Sequence, residues 1–414
     1  MMNIAILTMF NGLNESYSVV SAVKNQIQML LQNGHRVTML VSEHCPDEER
    51  TGIFADDRIA WVKITNSLNG KRAQWTDYTR YQGNVSSDFW TLAEAVAKDL
   101  EAALCEIDLC ILHDILYQGL HLVHNAAVRA VQKSLPKLRF LAFAHSVPRE
   151  HQEQEIPYRF MYCDMPNTTF VCPSQAMISL LANQYDICPQ TVAVVPTAID
   201  LIDGMSEEVK QIFSVRDFYK PEFIMVYPAR AASSKGHNLL AHFAGELKRI
   251  SGESVLIIFA DSYGDKNSRS LMRFELQRSG IAEEEFLFTS ELGFEQGIPH
   301  KAVLELFSLS NLFVFPSLAE TQGLVALEAA SRGNFLVMHS GTPALYELGQ
   351  MLQSALYYFG GNALPSQPQN GENSIQTIIR QMRENPVIQA KNTVRRSFSP
   401  KEIYLGYLSP LLYN

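Results

Sequence analysis

Short apolar runs alternate with longer stretches of helical periodicity from one end of the chain to the other, and this pattern restricts it to parallel sheets wrapped by helices. Asn3 to Thr8 reads as a first strand, Val19 to Leu31 as a helix closed at Asn33-Gly34, and Arg36 to Val41 as the next strand. Further strands are expected at Leu109 to Leu112, Arg139 to Ala144, Thr169 to Val171 and Val192 to Val195, with helices at Trp90 to Ala103 and Gln118 to Val131. A polar stretch from Pro196 to Pro221 follows. A second series then opens, with strands at Phe223 to Tyr227, Val255 to Phe259, Phe286 to Phe288, Leu312 to Phe315 and Phe335 to Met338. Helices near His237 to Ile250, Ser270 to Ser279, Ala302 to Leu309 and Gly323 to Ser331 separate them. The expected fold class is α/β with two Rossmann-like doubly wound domains, and 414 residues suit two domains. Asn362 to Asn373, rich in Pro, Gln, Asn and Gly, reads as a surface loop.

Composition narrows the partners. With 47% hydrophobic and 19% charged residues the chain can bury large cores, which excludes a disordered or fibrous protein. A formal charge of -9, with neither half basic, argues against nucleic acid as a partner and does not support electrostatic attachment to a membrane. The opening apolar run, Ile4 to Phe10, is too short to span a bilayer and has no basic segment before it, so a cytoplasmic protein is expected. Six cysteines (Cys45, Cys105, Cys110, Cys163, Cys172, Cys188) lack CxxC spacing and read as buried free thiols.

In open α/β sheets ligands bind beyond the carboxyl ends of strands, so the residues that follow the apolar runs carry most information. After Tyr227 come Arg230 and Lys235-Gly236, two cations on a strand-to-helix loop that could converge on one pyrophosphate; a solvated turn is the other reading. After Phe315 come Glu320, Gly323, Leu324, Val325 and Glu328. Gly323 permits close backbone approach, the helix start at Leu324 and Val325 offers N–H groups to a phosphate, and Glu328 can accept from ribose hydroxyls or join a salt bridge. His145 ends a strand, as do His113-Asp114, and each could serve a ligand or simply pack. Trp75, Tyr78, Tyr81, Phe89 and Trp90 could line a groove or belong to a core or an interface. Asp56-Asp57, and Asp261 with Asp265, read as surface loops and not as metal ligands.

Arg230 with Lys235-Gly236, followed by Pro316-Ser317, Glu320, seven residues, Glu328-Ala329 and Gly333, resembles the C-terminal domain of retaining GT-B glycosyltransferases of the GT4-like, group 1 family. Asn33 to Val37, the segment ending in His113-Asp114, Phe143 to Ser146, Pro173-Ser174 and Val195 to Asp200 are similar to the family's N-terminal motifs. Phe398 through Tyr413 is similar to its terminal helix. Three positions depart from the pattern. Tyr17-Ser18 stands for a Gly-Gly loop, Thr197-Ala198-Ile199-Asp200 for Asn-Gly-Val-Asp, and Ala260-Asp261-Ser262 for Gly-x-Gly.

The resemblance implies a GT-B fold, its two domains facing a central cleft. An N-terminal acceptor domain would span 1–198, a linker 199–220, a nucleotide-sugar domain 221–398, and a helix at 399–414 that crosses back. It implies transfer of a sugar, with retention and without a metal or other cofactor, from a UDP- or GDP-sugar to a hydroxyl in glycan or glycoconjugate biosynthesis. The acceptor is left open among glycan, lipid-linked, small-metabolite and protein. Arg230, Lys235, Glu320, Gly323, Leu324, Val325 and Glu328 would bind the donor; Tyr17, His113, Asp114 and His145 would face the acceptor; His145, Arg230, Lys235 and Glu320 would act in catalysis. The alternative is a catalytically silent nucleotide-sugar-binding protein on the same scaffold.

Overall fold

The computed structural model describes residues 1–72, 85, 87–230, 232–262, 266–360 and 373–413. The chain divides into two compact units, 1–199 with 400–414, and 200–399.

In the first unit the strands β1 (Asn3–Leu7), β2 (Arg36–Ser42), β3 (Ile59–Ile64), β4 (Leu109–His113), β5 (Arg139–Phe143), β6 (Thr168–Cys172) and β7 (Ala193–Val194) form one parallel sheet in the order β3-β2-β1-β4-β5-β6-β7. Its helices include α1 (Ser18–Gln32), α2 (Ser87–Leu104), α3 (Leu122–Ser134) and α4 (Ile178–Tyr185). Helices cover both faces, so the inner strands are largely apolar and buried, as at Leu109, Cys110, Ile111 and Leu112. The segment 400–413 is helical and belongs to this unit. It buries Ile403, Leu408 and Leu412 in the cluster formed by α1 and one sheet face, and Arg139 Nη1 and Nη2 donate to its Leu412 and Leu411 carbonyls at 2.9 and 2.7 Å.

The second unit carries β8 (Phe223–Tyr227), β9 (Val255–Phe259), β10 (Phe286–Phe288), β11 (Leu312–Phe315), β12 (Phe335–His339) and β13 (Ala355–Tyr357), all parallel, in the order β10-β9-β8-β11-β12-β13. Its helices include α5 (Glu207–Val215), α6 (His237–Ser251), α7 (Lys266–Arg278), α8 (His300–Leu309) and α9 (Leu324–Ser331). Both sheets run outward from a central strand and then reverse direction. The reversal falls between β1 and β4 in one unit and between β8 and β11 in the other, which are the crevices where such sheets take ligands.

Several sequence expectations change. The stretch read as a linker, 199–220, is largely part of the second unit, because α5 buries Val209 and Ile212 in that unit's core. Strands β3 and β13 were not anticipated. Asp261 is fully buried and not a surface residue: its carboxylate accepts from the Ser290 amide at 3.0 Å and hydroxyl at 2.6 Å, tying the ends of β9 and β10 together. No cysteine is paired, but Cys105 and Cys188 are exposed and only Cys45, Cys110 and Cys172 are fully buried. Phe89 is core, whereas Trp90 is exposed. Trp75, Tyr78, Tyr81, Asp265 and most of the 362–373 loop lie outside the described residues. Among the described residues no helix is long and apolar enough to cross a membrane.

Candidate active site

At the reversal in the second unit, the loops after β8 and β11 are bonded to each other. Leu318 N donates to the Ser234 carbonyl at 2.8 Å, and Ser317 Oγ reaches the same carbonyl at 3.2 Å. Gly236 makes this approach possible: its φ is +66°, and a Cβ there would lie 2.5 Å from the Pro316 carbonyl oxygen. The docked loops bring Lys235 Nζ onto Glu320 Oε1 in a direct ion pair, to which Ser317 Oγ donates at 3.0 Å. Both side chains are mostly sheltered, at 23% and 15% exposed. The Lys235 carbonyl is held in turn by the Tyr227 hydroxyl.

Arg230, from the same loop as Lys235, is exposed. Gly323 precedes α9 with φ +84°, and an added Cβ would meet Leu345 at 3.0 Å and Phe315 at 3.1 Å. No side chain caps α9, so the amides of its first turn at Leu324 and Val325 remain available to an anion. Glu328, on the second turn, accepts through Oε1 from His300 Nε2 at 2.8 Å; His300 opens α8 and is 68% exposed. Arg230, Lys235, Glu320, Gly323 and Glu328, all singled out from sequence, therefore share one end of adjacent strands, and three of them are paired there: Lys235 with Glu320, and Glu328 with His300. Ser317 is named from sequence only within the Pro316-Ser317 motif, with no role, and His300 is not among the expected site residues. Ser317 has the signal of following a strand directly, while His300 has none in the sequence.

In the first unit the corresponding reversal gathers Tyr17, His113, Asp114 and His145. Asp114 directly follows β4 with φ 64°, a left-handed conformation that an aspartate tolerates better than most residues. Its carboxylate is spent on the protein: Oδ1 accepts from the Tyr117 hydroxyl at 2.7 Å and from the His145 amide at 3.0 Å. Tyr117 Oη also accepts from the amides of His145 and Ser146, at 3.0 and 2.6 Å. Burial, then the adjacent Asp114 charge, pushes the Tyr117 hydroxyl well above its usual range, so it stays protonated.

His113 is buried and bonds His145 through Nδ1 at 2.7 Å and Gln26 Oε1 through Nε2 at 2.9 Å. Burial, reinforced by His145, holds His113 well below the normal histidine range; burial also lowers His145, with Asp114 acting in the opposite direction. His113 and Asp114 thus lie behind His145 and hold it, while His145 itself is partly exposed. Tyr17 is half exposed at the start of α1, and its phenol is raised first by burial and then by Asp114, whose charge it feels. A cavity of about 20 Å³, room for roughly one water, lies among Gln26, His113, His145 and Thr197. Gln26 and Tyr117 were not anticipated. Gln26 carried a signal: it is a polar residue in the Val19, Val23, Ile27, Leu30 stripe of α1.

Residues 208–353, within the second unit, match the family model described as glycosyl transferases group 1. No match is found among curated proteins. Similar solved structures include a glycosyltransferase from Rickettsia africae ESF-5, 14% identical with 100% of this chain and 99% of that chain covered, at a TM-score of 0.38. HepE from Anabaena, in complex with UDP, is 13% identical with 99% of each chain covered, at a TM-score of 0.36. Sucrose-phosphate synthase from Thermosynechococcus elongatus is 13% identical, with 99% of this chain and 98% of that chain covered, at a TM-score of 0.35.

Proposed function

We propose that this chain is a retaining, metal-independent glycosyltransferase that moves a sugar from a UDP- or GDP-linked donor to a hydroxyl acceptor in glycan or glycoconjugate biosynthesis. The reading rests above all on the Lys235–Glu320 pair, built by two docked loops at the strand reversal of a group 1 glycosyltransferase domain. Breaking the anomeric bond collects negative charge on the departing diphosphate, and preorganised donors are most effective where charge develops. Arg230, Lys235 and the amides at the start of α9 supply that stabilisation. When the diphosphate takes Lys235, Glu320 is released from its ion pair and can accept from sugar hydroxyls, while Glu328 accepts from the ribose. His145 orients the acceptor hydroxyl, and the leaving phosphate takes its proton.

The test is a panel of UDP- and GDP-sugars incubated with the chain in EDTA, scored for nucleoside diphosphate release and for the anomeric configuration of the product. Release with the configuration kept supports the proposal. Thermal stabilisation by UDP or GDP with no turnover on any donor would overturn it in favour of a silent nucleotide-sugar-binding protein.

A further inference from the structure

We propose that Gln26 is a positioning residue that sets the tautomers of two histidines in series, leaving His145 Nδ1 as the hydrogen-bond acceptor offered to a ligand. The inference rests on the reading of His145 as the acceptor-facing residue. Its basis is a count of protons along three bonded side chains. The amide oxygen of Gln26 faces His113 Nε2 at 2.9 Å and can only accept, so Nε2 carries the His113 proton. His113 is buried and neutral, so its Nδ1 is bare and must accept from the next ring. The partner at 2.7 Å is His145 Nε2, which therefore donates. With one proton on a neutral imidazole, His145 Nδ1 is left bare.

Ring geometry agrees with a directed bond. The two centroids are 5.0 Å apart and the planes only 16° from parallel, so a 2.7 Å contact between nitrogens sets the rings edge to edge in nearly one plane. The reversed arrangement would have His113 Nδ1 donating, and its bare Nε2 would then confront the Gln26 oxygen, two buried acceptors with no proton between them. Asp114 and Tyr117 do not decide the matter, because they bond the His145 main chain and not its ring. Gln26 itself is 4% exposed and comes from the buried face of α1.

The experiment is two-bond 15N–1H correlation of ring nitrogens in the 15N-histidine-labelled full chain without donor or acceptor, with His113 and His145 assigned from single variants. Both rings are expected to carry their proton on Nε2. Gln26→Met, which keeps the shape but offers no oxygen, is expected to move the His145 proton to Nδ1 in a measurable fraction of molecules. Turnover should then fall by about tenfold or more with donor KM unchanged. Gln26→Glu, an obligate acceptor, should restore both the tautomers and the turnover. A wild-type His113 protonated on Nδ1, or tautomers unaffected by Gln26→Met, would overturn the proposal; if Gln26→Met fails to fold, the wild-type spectrum decides alone. Because the spectra need no substrate, a chain inactive on every donor would sink the proposed function and leave this inference to be judged by the ring nitrogens.

Discussion

Lys235→Ala removes the charge that answers Glu320 in the resting protein and the leaving diphosphate in the proposed reaction, while Ser317 still donates to the glutamate. Nucleoside diphosphate release in single-turnover kinetics is expected to drop at least a hundredfold, about 2.7 kcal/mol of transition-state stabilisation. The fold should stay intact, because Ser317 still donates to Glu320, and circular dichroism at the assay temperature checks it. Lys235 and Glu320 were legible in the sequence because each follows an apolar run at a fixed spacing. The bond between them was not, because it depends on two loops docking across a strand reversal. Asp114 was legible as a strand-end carboxylate, yet its acceptors are filled by Tyr117 and the His145 amide, a role that only coordinates reveal.

Among the elements, the β8–α6 loop is fixed by Gly236, and a comparison of two glycines separates conformational strain from crowding. Gly34 has φ +77° with nothing within 4 Å of an added Cβ, so Gly34→Ala should cost only the left-handed penalty, about 1 to 2 kcal/mol. Gly236→Ala adds a collision with the Pro316 carbonyl, and the loops cannot separate without losing the Ser234–Leu318 bond, so a further 1 to 3 kcal/mol or so is expected. Calorimetric unfolding of the two variants checks the order, and equal losses would show that the loops yield. Strand β3 escaped the sequence reading for a related reason. It lies at the sheet edge with an exposed Ala60 and a half-buried Lys63, so it lacks the continuous apolar run of a central strand and carries the charge that edges favour.

For the whole molecule, the described tryptophans, Trp61 and Trp90, belong to the first unit, so their fluorescence reports its unfolding. Removing residues 400–414 uncovers the surface that Ile403, Leu408 and Leu412 bury, each contributing roughly 1.5 to 3 kcal/mol, together with the Arg139 bonds. The truncated chain should show a lower urea midpoint by tryptophan fluorescence, and the second unit's calorimetric transition should be unchanged. Acid should act on the same unit. His113 and His121 are held well below the normal histidine range and His124 at about 4, in each case chiefly by burial. The unfolded chain, titrating near 6.5, binds protons that the folded one refuses. Stability is therefore full above that value and is lost as pH falls from about 6.5 toward 4, by up to about 1.4 kcal/mol per pH unit for each such group. A urea midpoint by fluorescence that stays flat over this window would show that these rings are charged or solvated in the fold.

Most strands of the two parallel series, the strand ends that follow them, and the candidate residues Arg230, Lys235, Glu320, Gly323, Glu328 and His145 are legible in the chain alone. Periodicity and the residues that follow each apolar run are local properties, readable without coordinates. Tertiary structure decided the pairings: Lys235 with Glu320, Glu328 with His300, His113 between Gln26 and His145, and residues 400–413 against the first sheet. Each of those contacts joins segments far apart in the chain, so its distance, its proton and its shelter from water follow from how the elements pack and from nothing either segment carries alone.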